Sequence, residues 1–466
     1  MLELKNLNLY YNDNHVLKDI NMSVKSGACV VLTGKSGSGK SSIINAINNL
    51  AVKYNEANIT GEILLDDTSI MAHEKNKSYE SYEIYKLISN VFQNPKTYFF
   101  NVNTTEELLF YLENIGLDRK EMNERMNEML KLFPIAHLLD RDIFKLSGGE
   151  KQVLCIASCY IAGSNIILLD EPSSNLDEKY IEILKSMLIK LKSLGKTLIL
   201  SEHRLYYLMD IADEIYLIDE GRIANRFKSK ELLSLSDKEL ASLGLRSTKK
   251  PILTKDNYDL TKGELELKSL NYEVDNNFKL NLSDISFKYG NIYGIIGRNG
   301  CGKSTFLRCL IGVEKKSKEE IYENEILNKK ARLKKSSLVM QDVNHQLFSD
   351  EVEKEVALGL GENKERIDEL LKELELYKYK SRHPLSLSGG QKQRLAIASV
   401  LYKSSKWIFF DEPTSGMDYT NMKRISKLIK SCSNERNIIF IISHDIEFLN
   451  EVADYIINIE KQNKIS

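Results

Sequence analysis

With 466 residues the chain has room for two to four domains, each with a sizeable core. Apolar residues make up 42% and charged residues 28%, and 65 basic against 66 acidic side chains leave a net charge of −1, the balance of a soluble globular protein with no call for a nucleic-acid partner. The six cysteines (Cys29, Cys155, Cys159, Cys301, Cys309, Cys432) include no Cys-x-x-Cys pair and no apolar run reaches 18 residues, which argues against a disulfide framework, a zinc site or a spanning helix.

The chain opens on Met1-Leu2-Glu3-Leu4-Lys5, which does not read as a signal peptide, and Glu3 to Asn8 begin two or three amphipathic strands. An apolar run over 28–33 leads into Gly34-Lys35-Ser36-Gly37-Ser38-Gly39-Lys40-Ser41, and a helical pattern follows over 42–50. Glycines at this spacing let successive backbone N–H groups turn inward as an anion nest at a helix N-terminus; Lys40 can then reach the β- and γ-phosphates and the Ser41 hydroxyl can ligate Mg²⁺. For a single such stretch, a flexible turn is the plain alternative. A polar, helix-rich middle follows and contains Gln93. Leu146-Ser147-Gly148-Gly149-Glu150 then opens a long helix with Ser147 suited to the N-cap, and Cys155 and Cys159 share a face of it as small buried hydrophobes. Beyond it the expected order is strand over 166–170, helix over 180–191, strand over 197–201 and helix over 205–211. Short apolar runs alternating with helical periods imply a parallel sheet with helices on both faces, which presents ligands at the carboxyl ends of its strands. Those ends carry Asp170-Glu171 and His203. The polar stretch over 228–262, helical over 229–243 and then Arg246-Ser247-Thr248-Lys249-Lys250-Pro251, reads as a linker.

From there the chain repeats itself. Glu266-Leu267-Lys268-Ser269-Leu270-Asn271 and Gly297-Arg298-Asn299-Gly300-Cys301-Gly302-Lys303-Ser304 return at an offset of 263 residues, Gln341 answers Gln93 at 248, and Leu387-Ser388-Gly389-Gly390, Asp411, Glu412 and His444 answer at 241. Recurrence of the whole set in order removes the flexible-turn alternative. The first copy carries 15 extra residues around 55–78 and 7 more before its Ser-Gly-Gly. The expected division is a first domain over 1–235, a linker over 236–262 and a second domain over 263–466. Beside a phosphate loop, Asp170 and Asp411 are expected to hold the Mg²⁺ shell. Glu171 and Glu412 are expected to polarise the attacking water, with His203 and His444 beside the γ-phosphate.

In this order the motifs resemble those of the ATP-binding-cassette (ABC) ATPases in duplicated form, over nearly the whole chain. By that resemblance, Gly34 to Ser42 and Gly297 to Thr305 are similar to Walker A loops. Gln93 and Gln341 are similar to the Q-loop glutamines that touch Mg²⁺, Ser147 to Glu150 and Ser388 to Gln391 to signature motifs, and Asp170-Glu171 and Asp411-Glu412 to Walker B with its catalytic glutamate. Ser174-Asn175-Leu176-Asp177 and Ser415-Gly416-Met417-Asp418 resemble D-loops, and His203 and His444 the switch histidines. The resemblance implies an α/β fold in two tandem P-loop ATPase domains, each a mainly parallel sheet core with an antiparallel β subdomain and an α-helical subdomain. It further implies ATP with Mg²⁺, and cassettes that pair within the chain. One ATP would then join the first Walker A to Ser388 and Gly390, the other would join the second Walker A to Ser147 and Gly149, and both would be hydrolysed. Tyr11 is expected to stack on adenine in the first site; in the second, the offset lands on Val274 and Tyr272 is the nearest candidate. Glu150 in place of the usual glutamine, and Val153 opposite Arg394, are departures expected to affect the rate at the site that uses Ser147. Cys301 is read as a small residue that fits its loop rather than as a low-pKa thiol.

The run from Val339 to Phe348 is similar to the extended Q-loop of energy-coupling-factor ATPases, which power uptake of vitamins and metal ions. Val91 to Phe100 resembles the partner version, with Tyr98 where Gln346 stands in the second copy. This implies a peripheral subunit on the cytoplasmic face of the cell membrane. Its partners would be a transmembrane coupling subunit and a membrane substrate-binding component on separate chains. The rival is a duplicated ABC ATPase that acts on ribosomes, whose long charged helical linker the stretch over 228–262 is too short to provide.

Overall fold

The computed structural model describes residues 1–70, 81–95, 98–174, 176–255, 263–274 and 278–463. Much of the insertion expected around 55–78, Asn175 of the first D-loop and the end of the stretch expected as a linker lie outside them. The chain forms two compact units, Met1–Lys250 with Gly416–Thr420, and Pro251–Ser415 with Asn421–Ser466.

In the first unit, β1 (Leu2–Tyr11) pairs antiparallel with β2 (Asn14–Val24), β3 (Cys29–Thr33) leads into the first phosphate loop, and β4 (Asn58–Leu65) and β5 (Thr68–Ser69) return to the far side of β1. Leu2 and Leu4 of β1 are buried, and so are Leu7 and Leu9; the change of phase comes from a bulge between Leu4 and Leu7, with Asn6 at φ 48°. β6 (Ile88–Val91), β7 (Ile166–Asp170), β8 (Thr197–Ser201) and β9 (Glu214–Asp219) join β3 in a parallel sheet, to which β10 (Arg222–Phe227) adds an antiparallel edge, in the order β10-β9-β3-β8-β7-β6.

Successive side chains of this sheet enter two different cores. Cys29, Val31, Ile167, Leu169, Leu198 and Leu200 pack with the helical subdomain, whereas Val30, Leu32, Leu168 and Ile199 pack with the antiparallel sheet and the helix Lys40–Ile47. Burial on both faces is why these strands read as unbroken apolar runs. The helical subdomain is Thr104–Asn114 and Arg119–Leu132, capped by the side chains of Asn103 and Asp118, and it packs with the signature helix Gly148–Ile161.

Two expectations for helices fail. Residues 206–211 form turns rather than a helix, closed by Leu208 N–H to Leu205 O and Ile211 N–H to Leu208 O. The single helix expected over 229–243 is two, Ser229–Ser234 and Asp237–Ser242, because Ser236 caps the second through Glu239 N–H. Leu232, Leu240 and Leu245 are buried in the first unit's core, which is why residues through Lys250 group with it.

The second unit repeats the plan. Strands β11 (Leu265–Val274), β12 (Phe278–Phe287), β14 (Lys318–Glu323) and β15 (Glu325–Ile326) form the antiparallel sheet. The parallel sheet is β16 (Ser336–Val339), β17 (Trp407–Asp411), β18 (Ile438–Ile442), β13 (Ile292–Ile296) and β19 (Tyr455–Asn458), in that spatial order. In each unit the strand before the phosphate loop, the strand before the histidine and the strand ending in Asp-Glu are consecutive neighbours, so their carboxyl ends stand side by side. Among the described residues no helix is long and apolar enough to cross a membrane.

Candidate active site

Both phosphate loops have the same backbone. Gly34, Gly37 and Gly39 have φ of 136°, 79° and 108°; Gly297, Gly300 and Gly302 have 151°, 79° and 101°. Side-chain-bearing residues rarely adopt these angles, and a Cβ on Gly34 would fall 2.1 Å from the Ile218 carbonyl oxygen of β9. Each loop ends at a helix N-terminus whose first residue is its lysine. Lys40 Nζ donates to the carbonyls of Gly34 (3.0 Å) and Lys35 (2.8 Å), and Lys303 Nζ to those of Gly297 (2.8 Å) and Arg298 (2.9 Å). Burial lowers the pKa of Lys40, opposed by the charges of Glu171 and Asp170 among others.

Where a metal would sit in the first unit, Ser41 Oγ donates to Asp170 Oδ1 at 3.0 Å. Burial raises the Asp170 pKa, and the neighbouring Glu171 adds to it. The second unit matches: burial raises the Asp411 carboxyl, against a hydrogen bond from Ser304. Among the described residues no group of three or more His, Cys, Asp or Glu could hold an ion. A serine hydroxyl and one carboxylate suit Mg²⁺ that draws its remaining ligands from phosphate and water, and the buried, unpartnered Ser38 hydroxyl inside the loop is a further group a phosphate would satisfy.

The second carboxylate of each pair is built differently from its neighbour. Glu171 and Glu412 sit at φ 46° and 49°, and their N–H groups donate to Ser201 O and Ile442 O at 2.9 Å, so each backbone turns sharply as its strand ends. In the first unit Gln93 Nε2 donates to Glu171 Oε2 (2.7 Å), and His203 Nε2 lies 3.3 Å from Oε1. Burial would raise the Glu171 pKa, but His203, Lys40 and Gln93 together bring it below the ordinary value. In the second unit His444 Nε2 is 3.6 Å from Glu412 Oε1 and 2.8 Å from Asn299 Oδ1 of the phosphate loop, and His444 N–H donates to Glu412 Oε2 (3.3 Å). Gln341 follows β16 and is exposed. Thus Lys40, Ser41, Gln93, Asp170, Glu171 and His203 converge in the first unit, and Lys303, Ser304, Asp411, Glu412 and His444 in the second.

The signature residues stand at helix N-termini. Ser147 caps Gly148–Ile161 in a reciprocal box: its Oγ accepts from Glu150 N–H (3.3 Å), and Glu150 Oε2 accepts from Ser147 N–H (2.7 Å). Glu150 Oε1 also accepts from Arg141 (2.8 Å); against the effect of burial, these partners lower its pKa. Ser388 N–H donates to Gln391 Oε1 (2.9 Å) at the start of Gly389–Lys403. The two helix starts differ in cover. A Cβ on Gly149 would meet the Tyr180 ring at 2.4 Å, whereas nothing lies within 4 Å of one on Gly390. The Val153/Arg394 departure concerns packing, since Arg394 Nε donates to Leu374 O (3.0 Å) in the helical subdomain.

Tyr11 is half-buried and packs against the core that includes Ile43 and Ile44. Tyr272 is held by a hydrogen bond from its hydroxyl to Glu314 (3.2 Å), and the ring that lies against the second loop is Phe278, whose Cζ would be 2.6 Å from a Cβ on Gly302. The constant offset hid Phe278 because it falls opposite His15, at the start of the next strand. Burial pushes the Cys301 thiol up, in keeping with a space-filling role.

A family model described as ABC transporter matches the chain twice, over residues 17–174 and 280–415. A relative from Treponema denticola, named provisionally as an ABC transporter ATP-binding protein, is 37% identical over 469 residues, covering 98% of this chain and 95% of its own length. One from Clostridium perfringens with the same provisional description is 30% identical and covers 100% and 90%. Among solved structures, a model of ribosome-bound archaeal Pelota and ABCE1 aligns with 97% of this chain and 76% of its own at a TM-score of 0.66 and 20% identity. The RNase-L inhibitor does so over 97% and 87% at 0.62 and 20%. At that identity the likeness is one of fold.

Proposed function

The chain belongs to the ABC transporter family as an ATPase of two fused cassettes, and on that premise we propose that it energises a membrane importer of the energy-coupling-factor type. The observation that carries this reading is a matched pair of exposed aromatics. Phe100 and Phe348 are 78% and 76% exposed, and each stands on a loop held from behind by a buried glutamate. Glu107 Oε2 accepts from Phe100 N–H (3.0 Å) and Asn101 N–H (2.8 Å); Glu355 Oε2 accepts from Phe348 N–H (2.9 Å) and Ser349 N–H (2.7 Å). A second pair, Phe144 and Leu385, at 76% and 47% exposure, stands just before each signature motif. In the first unit the two places are linked by Ile143 N–H to Val102 O (2.8 Å). A chain that buries carboxylates in order to keep phenylalanines in water, at the same place in both cassettes, is equipped to receive apolar partner segments.

In this reading the partners are a transmembrane coupling subunit and a membrane substrate-binding component, and the chain works at the cytoplasmic face of the membrane. Lys40 and Lys303 hold the phosphates; Ser41, Gln93, Asp170, Ser304, Gln341 and Asp411 attend Mg²⁺; Glu171 and Glu412 are general bases, and His203 and His444 bind the γ-phosphate. Ser147 with Gly149, and Ser388 with Gly390, supply phosphate contacts to the opposite cassette's nucleotide. Membrane fractionation of cells tests the reading: recovery with the membrane and a small-molecule uptake complex is expected, and recovery with ribosomes alone would replace it with the ribosome-associated alternative.

A further inference from the structure

The carboxylate of Glu202, 2% exposed beside His203, has no part in the roles proposed above. Its Oε1 accepts from the backbone N–H of His203 (2.7 Å) and of Arg204 (3.1 Å), and its Oε2 from the N–H of Ser173 (3.3 Å) and the Tyr207 hydroxyl (2.8 Å). Ser173 lies two residues beyond Glu171. One side chain therefore ties the turn after β7, which carries Glu171, to the turn after β8, which carries His203.

The second cassette makes the same tie with an acid on the other side of its histidine. Ser443 stands before His444, where Glu202 stands before His203, and Asp445 follows, where Arg204 follows. Asp445 is 5% exposed; its Oδ2 accepts from Thr414 Oγ1 (3.3 Å), its Oδ1 from Phe448 N–H (3.2 Å), and its own N–H donates to Ser443 Oγ (3.1 Å). Thr414 is two residues beyond Glu412, as Ser173 is beyond Glu171. The rest of the exchange is consistent. Where the acid precedes the histidine, Tyr207 supplies a hydroxyl to it; where the acid follows, that position is Phe448. Arg204, freed from the task, donates to the carbonyls of Leu176 (3.3 Å) and Ser173 (3.5 Å).

We propose that Glu202 and Asp445 are positioning residues, each fixing the general base and the switch histidine of its own cassette relative to one another. This rests on the roles proposed for Glu171, Glu412, His203 and His444. Two turns held by one buried acid keep their side chains in register while nucleotide comes and goes, and a displacement of about 1 Å between such groups is enough to slow chemistry by up to roughly a hundredfold. Glutamine at 202 keeps one accepting oxygen but sets an amide N–H₂ against a backbone N–H, so it loosens one turn without emptying the site.

The test is steady-state ATP hydrolysis by the full chain. Glu202→Ser and Glu202→Gln are each expected to lower kcat by about two- to tenfold with the KM for ATP within about twofold, since positioning and not nucleotide binding is lost. Adding Arg204→Asp to Glu202→Ser transplants the Ser-His-Asp order of the second cassette, and kcat is expected to return to within about twofold of the parent. Its thermal midpoint stays depressed, because the Arg204 hydrogen bonds are gone. Rescue of rate without rescue of stability separates positioning from plain fold support. An unchanged kcat in both single variants, or a transplant that regains no rate, overturns the proposal. Glu171→Gln with Glu412→Gln is the companion measurement: if that pair still turns over ATP, it is the assignment of the bases that fails.

Discussion

At the scale of single residues, the two carboxylates that end β7 are opposites electrostatically. Burial leaves Asp170 with a raised pKa, whereas its neighbours bring Glu171 below the ordinary value. An acid with a raised folded-state pKa binds its proton more tightly folded than unfolded. Stability is therefore lost as pH rises from its ordinary 3.8 through the raised value, and the deficit persists at neutral pH. Asp170→Asn is accordingly expected to raise the nucleotide-free thermal midpoint at pH 7 but not at pH 3, while abolishing the extra stabilisation by Mg²⁺ with ATP; a fall at pH 7 would contradict it. Glu171→Gln with Glu412→Gln is expected to leave ATP bound and uncleaved, measured as retained radiolabelled ATP without released phosphate. The residues that converge at the candidate site were legible in the sequence, because the loop glycines with their lysine, and the Asp-Glu at a strand end, recur as motifs in the same order in both copies. Glu202 and Phe278 were not: one bonds mainly to backbone groups that leave no pattern, and the other has a histidine, not an aromatic stacking candidate, opposite it in the first copy.

Elements were legible wherever burial alone shaped them. The strands Ile166–Asp170 and Thr197–Ser201 have the limits their apolar runs predict. Residues 205–211 did not, because a run of apolar side chains around Tyr206 and Tyr207 can bury itself in turns as well as in a helix, as the equivalent Ile446–Val452 does. The two signature helices look alike in sequence but not in surroundings. Gly149→Ala drives a methyl into the Tyr180 ring and is expected to cost about 1–3 kcal/mol. Gly390→Ala meets open space and is expected to gain up to about 1 kcal/mol from helix propensity. Thermal unfolding of the two variants checks the contrast; equal shifts would refute it. Tyr98 and Gln346 differ in the same way. Gln346 stitches its loop to β16 through Leu338 O (2.8 Å) and Met340 N–H (3.0 Å), whereas Tyr98 reaches the Cys159 sulfur at 3.6 Å.

At the scale of the whole molecule, duplication was plain from the repeated motifs, and the late offset stays constant because the strands that carry the candidate site are central in their sheets, whereas the extra residues of the first copy fall around 55–78 and before its Ser-Gly-Gly, outside those strands. What the sequence did not reveal is which apolar residues stay in water, since an exposed Phe100 and a buried Phe133 look the same until packing is known. Phe100→Asp with Phe348→Asp is expected to leave ATP hydrolysis by the isolated chain within about twofold of the parent while releasing it from membranes on fractionation; persistence on the membrane would place the docking elsewhere. On the proposed reading, the pairing of these aromatics also sets a stoichiometry. A partner with two equivalent prongs is saturated by one polypeptide, and a surplus of this chain over that partner would leave greasy knobs in twos, each molecule able to bridge others. In that reading, production of the two gene products in step would be a matter of colloidal safety as much as of the proposed transport.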